Sequence, residues 1–357
     1  GMRVTVLKLG SLFDGIGVFP LAAMHCGMEP VWASEIEARP ISITKRHFPD
    51  MLHLGDITKI SGAEIPPVDV ITFGSPCQDL SQIGTRNGFA GKKSSLFYQA
   101  MRIIEEMRYA TNGRYPAFTV WENVAGAFSS NDRLDFAAML SAFTGAEVSV
   151  PPRGWAHAGM VRGGCADTAW RLLDAQYWGE PALVQRRKRV FVVADFAGQR
   201  AGEVLFKPRT VLPFSTISGP GGLSATQRGG VSVAQTGRQV PIVRPFSLRR
   251  MRTMAQVGDQ KGFCASFGRG GEPFPTLLAS VTAPFSFWYE GEERDGFLRA
   301  LTPLECERLM GLPENWTKYG CKNEEISDHA RYRALGNSIA LPCAEYVMAG
   351  IAEVMGE

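Results

Sequence analysis

The sequence predicts an α/β protein: a doubly wound, mostly parallel sheet with helices on both faces, carrying a smaller, irregular, strand-containing domain. Three observations predict it. Short β-branched runs alternate with longer helical patterns through the first 195 residues, which means βαβ units and a parallel sheet. Residues 196–289 break that rhythm, with 13 Gly and 8 Pro and no sustained helical period. At 357 residues the chain suits two domains, taking roughly 150 residues per domain as a prior.

Strands are expected at about 4–9, 31–35, 51–54, 68–73, 117–122 and 189–194, and helices near 17–27, 38–47, 94–110, 131–143 and 168–175. Regularity returns at Thr302-Pro303-Leu304-Glu305. Thr302 can cap, Pro303 suits the first helical position, and Glu305 completes a capping box. Gly311 and Pro313 then stop the helix, and a last helix is expected over 342–355. The expected division is a catalytic domain over 1–195 completed by 325–357, with 196–324 as recognition domain and hinge.

An apolar fraction of 45% with 20% charged residues supports a sizeable core and excludes wholesale disorder. No apolar stretch approaches the roughly 20 residues of a membrane span, and Met2-Arg3-Val4-Thr5-Val6 runs into a strand pattern without a secretory layout, so a cytoplasmic location and no membrane partner are expected. The seven cysteines lie apart with no CxxC pair, which argues against a disulfide framework and a zinc site, so no metal is expected. The net charge of +3 decides nothing, but its distribution is uneven. Residues 196–289 hold eleven Lys/Arg against three acids, a net +8. That is the footprint of a polyanion binder, although a merely cationic soluble surface would look the same.

Four motifs fall at strand ends. The first strand leads into Leu12-Phe13-Asp14-Gly15-Ile16-Gly17-Val18-Phe19-Pro20, and Glu35 ends the second strand twenty residues after Gly15. A glycine turn followed by such an acid is the layout that holds an adenosine ribose. Pro20 occupies the place of the third glycine, so a nucleoside without phosphates fits better than a pyrophosphate, and S-adenosylmethionine is such a ligand. An ordinary tight βα turn would read the same way. Asp56, in Gly55-Asp56-Ile57-Thr58, is a third candidate for this crevice. Cys77 sits in the polar, proline-stiffened loop Gly74-Ser75-Pro76-Cys77-Gln78 rather than in an apolar run, which suits a nucleophile better than a structural cysteine. Glu122 closes the fifth strand in Trp121-Glu122-Asn123-Val124, where a solvated charge is the ordinary alternative. In Gln185-Arg186-Arg187-Lys188-Arg189, alternation sends Arg187 and Arg189 to one face; a solvated strand entry is the simpler account.

Together the order Phe13-Asp14-Gly15-Ile16-Gly17, Glu35, Gly55-Asp56, Pro76-Cys77-Gln78, Glu122-Asn123-Val124, Gln185-x-Arg187-x-Arg189, Arg299-x-Leu301-Thr302-x-x-Glu305 and Gly336-Asn337-Ser338 resembles the DNA (cytosine-5)-methyltransferases. The resemblance covers nearly the whole chain outside 196–295. It implies the S-adenosylmethionine-dependent methyltransferase fold, with Cys77 as nucleophile and Glu122 as the carboxyl at ring nitrogen 3 of cytosine. It also implies that Arg187 and Arg189 line that pocket. Phe13, Gly15, Gly17, Glu35, Asp56, Ile57, Pro76 and Asn337 match contacts to S-adenosyl-L-methionine, and the basic middle matches the target-recognition domain. Ser81, Arg86, Arg249, Arg250 and Arg252 are the expected DNA contacts. The implied partners are double-stranded DNA and a cognate restriction endonuclease, the alternative setting being a solitary phage or prophage enzyme, and a monomer is expected.

The chemistry requires these residue types. Carbon 5 of cytosine is a poor nucleophile, so a thiolate adds at carbon 6 and an acid at nitrogen 3 takes up the displaced charge. A neighbouring guanidinium lowers the thiol pKa, and the base must leave the duplex to be reached. The chain departs from the family twice. Val18 replaces the usual second glycine, which is expected to narrow the approach to the methionine moiety, and the longer 180–184 step is expected to bulge the strand entry. The rivals are a tRNA cytosine methylase, whose Cys-Phe-Thr signature is not matched by Gly262-Phe263-Cys264-Ala265, and a catalytically silent DNA-binding regulator.

Overall fold

The computed structural model describes residues 6–75, 95–207, 242–246, 273–279, 285–289 and 297–356. Pro76, Cys77, Ser81, Arg86, Arg249, Arg250 and Arg252 therefore lie outside the described residues. The chain divides into two units, Gly1–Leu173 with Lys188–Val211 and Ala344–Glu357, and Asp174–Arg187 with Leu212–Cys343. These boundaries differ from a break at 195/196. The stretch 174–187 falls in the second unit because its backbone is tied there: Arg186 N donates to Phe274 O at 2.7 Å and Phe274 N to Val184 O at 2.6 Å.

The first unit is built on strands β1 (Lys8–Leu12), β2 (Glu29–Ser34), β3 (Leu52–His53), β4 (Val70–Phe73), β5 (Phe118–Val124), β6 (Ala158–Arg162), β7 (Asp167–Asp174) and β8 (Lys188–Asp195), in the sheet order β3-β2-β1-β4-β5-β8-β7-β6. Pairing is parallel from β3 through β5 and antiparallel for β5 with β8 and β6 with β7. Helices α1 (Val18–His25), α2 (Ala38–His47), α3 (Leu96–Ala110), α4 (Leu134–Thr144) and α5 (Ala201–Phe206) connect or follow these strands. The central strands read as apolar runs because both faces are covered; all four residues of β4 are buried. In α3, Phe97, Ala100, Met101, Ile104 and Met107 recur at helical spacing and are buried, joining Trp32, Phe73 and Trp121 in one core. Gly10 is required in β1 because a Cβ there would overlap the Trp32 ring.

The helix expected at 168–175 is instead strand β7. Its pairing with β6, from Arg162↔Asp167 to Ala158↔Arg171, overrides local propensity. Gly163-Gly164, between the two runs, was the hairpin signal. The 180–184 step lies ahead of β8, outside its register with β5. The β5–β8 register runs without a shift from Val124↔Arg189 to Phe118↔Asp195, and the extra residues make a turn with Leu183 N bonded to Trp178 O at 3.0 Å.

In the second unit, β9 (Ile242–Phe246), β10 (Phe285–Tyr289) and β11 (Phe297–Ala300) form an antiparallel sheet in the order β11-β10-β9. Helix α6 (Pro303–Leu309) starts at Thr302 with both bonds of the capping box made. Helix α7 (Asp328–Gly336) follows, and α8 (Leu341–Gly356) begins in this unit and ends in the first. Fully buried Glu307 is matched by Arg331 at 3.0 Å and by the Asn315 and Thr317 N–H groups at 2.7 and 2.8 Å, as a buried charge must be. Among the described residues no single helix is long and apolar enough to cross a membrane, and no cluster of His, Cys, Asp or Glu could hold a metal ion.

Candidate active site

In the first unit β2 and β3 lie on one side of β1 and β4 on the other, which makes the β1/β4 border a topological switch point. Ligands of open α/β sheets bind beyond the carboxyl ends of the strands at such a point. The registers Leu12↔Ser34, Leu12↔Phe73 and Phe73↔Trp121 carry the Phe13–Gly17 turn, Glu35, Gly74-Ser75 and Glu122 to that edge.

The turn is left-handed at Phe13 (φ 53°), Gly15 (φ 62°) and Gly17 (φ 80°). Only glycine adopts such angles freely. A Cβ at Gly15 would point into open space, so the turn leaves an unfilled cradle. Glu35 closes it: Gly15 N donates to Oε2 at 2.9 Å, and Ile36 N and Glu37 N donate to Oε1 at 2.7 and 3.0 Å. The two residues that sequence spacing paired, Gly15 and Glu35, meet here through a backbone N–H. Val18 is a buried residue of α1.

Asp56 caps a short 3₁₀ turn, accepting from Thr58 N at 2.9 Å and Thr58 Oγ1 at 2.8 Å. The Thr58 backbone bond, then its hydroxyl bond, holds the carboxyl below its ordinary pKa. Ile57 is buried in the core and offers its carbonyl to Arg102 at 3.1 Å. At the end of β3, burial and then Lys45 lower the pKa of His53, while Glu35 opposes them.

On the β5 side, Glu122 is 9% exposed and its Oε1 lies 3.2 Å from Arg189 Nε. Val124 faces Arg189 across the antiparallel pair, so Glu122 meets Arg189 as the diagonal neighbour on the same face. Gly74 leaves room there, since a Cβ would come within 3.1 Å of Glu122 Oε2. Alternation also holds through the arginine run: Gln185 and Arg187 are buried, Arg186 and Lys188 exposed. Arg187 nevertheless precedes β8 and belongs to the second unit. At 1% exposure its guanidinium donates to the carbonyls of Leu277, Gly336 and Ser338 at 2.9, 2.8 and 2.5 Å. Gly336 is needed because the Leu278 backbone passes where a Cβ would sit, and Asn337, next to it, is exposed at the end of α7.

Sequence reading assigned no role to Asp14 or to the groups around Ser75. Asp14 accepts from Ser11 Oγ at 2.6 Å and from Thr44 Oγ1 at 3.2 Å. Removal from water pushes its pKa up to about 7, against those two hydrogen bonds and with a smaller push from Glu35. Ser11 and Thr44 lie three and thirty residues away. Only the Ser11 contact was within local reach.

A family model described as C-5 cytosine-specific DNA methylase matches residues 7–208 and 246–353. The type II methyltransferase M.HhaI of Haemophilus parahaemolyticus is 23% identical over 359 residues, covering 97% of this chain and 94% of its own length. A protein of Escherichia phage P1 named DNA N-6-adenine-methyltransferase is 24% identical over 460 residues, which cover 96% of this chain and 60% of the phage protein. The chain thus spans well under two thirds of that relative. Among solved structures, the Dnmt2 methyltransferase of S. pombe has a TM-score of 0.56 at 15% identity, covering 98% of this chain and 100% of that one; this likeness concerns the fold.

Proposed function

The chain belongs to the C-5 cytosine-specific DNA methylase family, and we propose that it transfers the methyl group of S-adenosyl-L-methionine to carbon 5 of a cytosine flipped out of a specific duplex DNA sequence, through a covalent adduct with Cys77. The observation that carries this reading is the Glu122–Arg189 pair at 3.2 Å, placed at the sheet edge next to the strand end that leads to Pro76 and Cys77.

The residues present suit the cofactor. The open cradle at Gly15 admits an adenosine without phosphates, and Glu35, with three of its roughly four acceptor positions taken by N–H groups, keeps one for a ribose hydroxyl. When bound, S-adenosyl-L-methionine supplies an electrophilic methyl group on its sulfonium. The chain's own groups do the rest. Cys77 adds as the thiolate to carbon 6, breaking the 5,6 double bond. Glu122 holds a proton at nitrogen 3, so that the ring takes up the added electron pair without a full negative charge. Arg189 keeps the Glu122 carboxyl oriented toward that position. After carbon 5 is methylated its proton passes to solvent water, the electrons of that C–H bond re-form the 5,6 double bond, and Cys77 leaves as the thiolate.

Residues 196–289, at net +8, would grip DNA phosphates and select the sequence. The chain would work as a cytoplasmic monomer, alone or beside a cognate restriction endonuclease. The test is incubation with methyl-labelled cofactor and duplex DNA or tRNA, followed by digestion to nucleosides. Label in 5-methyldeoxycytidine is expected. Label in N6-methyldeoxyadenosine, which the name of the phage relative would suggest, or in tRNA alone, would refute the proposal.

A further inference from the structure

The glycine turn holds a second carboxyl besides Glu35. Asp14 N donates to Ser34 O at 2.9 Å and Gly17 N to Asp14 O at 3.3 Å, so the residue is fixed within the turn, while its side chain is only partly buried. That side chain completes a chain of oxygens. Ser11 Oγ lies 2.6 Å from Asp14 Oδ1, and Thr44 Oγ1 lies 3.2 Å from Asp14 Oδ2 and 3.1 Å from the Gly15 carbonyl oxygen. Three contacts thus share the hydrogens of two hydroxyls, one hydrogen short of three ordinary bonds. A proton on Asp14 supplies the third: Asp14 then donates to Thr44 Oγ1, and Thr44 donates its own hydrogen to Gly15 O. Removal from water, with a smaller push from Glu35, keeps that proton in place until pH reaches about 7.

We infer that Asp14 is a specificity-determining residue that favours the sulfonium of S-adenosyl-L-methionine over the neutral thioether left after transfer; the inference rests on the reading of this turn as the cofactor cradle. Glu35 Oε2 accepts from Gly15 N at 2.9 Å, so a ribose taken up by Glu35 is held against the residue next to Asp14. The methyl donor and its product differ by one positive charge, carried by the sulfur one carbon from that ribose. A positive charge held against the turn favours the ionised form of Asp14, so Asp14 gives its proton to solvent when the donor binds. The thioether offers no such charge. Because the donor complex binds fewer protons than its parts, affinity for the donor should rise as pH approaches about 7, and affinity for the thioether should not follow it. Glu35, after β2, is the charged group that acts on Asp14. Glu35 and Lys45, which follows Thr44 on α2, also act on His53 of β3, so His53 is the titrating neighbour to control for.

The test is calorimetric titration of the full chain with S-adenosyl-L-methionine and with S-adenosyl-L-homocysteine, each in two buffers of different ionisation enthalpy. At about pH 6.5 the parent should release roughly 0.3–0.5 proton more with the donor than with the thioether. Asp14→Asn should abolish that difference, and His53→Gln should keep it. Between about pH 5.5 and about pH 8, the donor's advantage in Kd should grow about 3–10-fold more in the parent than in Asp14→Asn. Titration of the ligands' own amino groups is common to both proteins and cancels in this comparison. Equal proton release with the two ligands, or a difference that survives in Asp14→Asn or vanishes in His53→Gln, would overturn the inference. If Asp14→Asn fails to fold, Asp14→Ala decides in its place. The two failures are separable: a parent that binds neither ligand, or an unchanged Kd in Glu35→Ala, removes the cradle reading, whereas binding of both ligands with equal proton release removes only the role of Asp14.

Discussion

Replacing Asp14 by Asn should make the protein more stable at neutral and alkaline pH and leave it nearly unchanged in acid. Asp14 titrates from its ordinary value of 3.8 up to about 7, chiefly because folding withdraws it from water. The sign follows from which state holds the proton. Below pH 3.8 both folded and unfolded chains carry a protonated Asp14, so the residue contributes no pH dependence. Between 3.8 and about 7 the unfolded chain has released its proton and the native one has not, so stability falls as pH rises. Above about 7 the full penalty is in place and stays constant. At about 1.36 kcal/mol per pH unit, a rise from 3.8 to about 7 amounts to about 4 kcal/mol. Asp14 is partly exposed, and solvent screening reduces that to roughly 2 kcal/mol. Asparagine keeps an acceptor for Ser11 Oγ and removes the charge. Urea unfolding at pH 5 and pH 8 should therefore show the Asp14→Asn variant gaining about 1–2 kcal/mol on the parent across that interval. Parallel stability curves for the two proteins would show that Asp14 ionises freely in the native state and would refute the burial argument.

Three further outcomes are expected. Glu122→Gln keeps shape but cannot hold the proton at nitrogen 3, so turnover should fall by roughly 10²–10⁴ with cofactor affinity little changed; equal turnover removes Glu122 from the mechanism. Glu35→Ala should weaken cofactor binding and also loosen the turn, since three N–H groups lose their acceptor; an unchanged cofactor Kd by calorimetry would count against it. Binding to duplex DNA should weaken with salt at a log–log slope of about −0.9 per phosphate neutralised, and replacing Arg249, Arg250 or Arg252 by Ala should flatten that slope; salt-independent affinity would take the basic segment out of DNA binding.

What the sequence determined by itself are the features whose causes lie close together along the chain. The capping box at Thr302 and Glu305 forms as expected because its groups are three residues apart. Most strands and helices of the first unit were legible for the same reason, since period-2 and period-3.6 patterns are local. The fold class and the meeting of Gly15 with Glu35 followed from spacing along a βαβ unit, and the family from motifs in fixed order. Tertiary structure decided the rest. Residues 167–174 become β7 because β6 is there to pair with them. Arg187 draws its three carbonyls from residues 90, 149 and 151 positions away. Trp121 finds Ser75 across 46 residues, and Asp14 owes its raised pKa chiefly to burial. A hydrogen bond or a loss of solvent depends on what arrives from elsewhere in the chain, and no local pattern encodes the arrival.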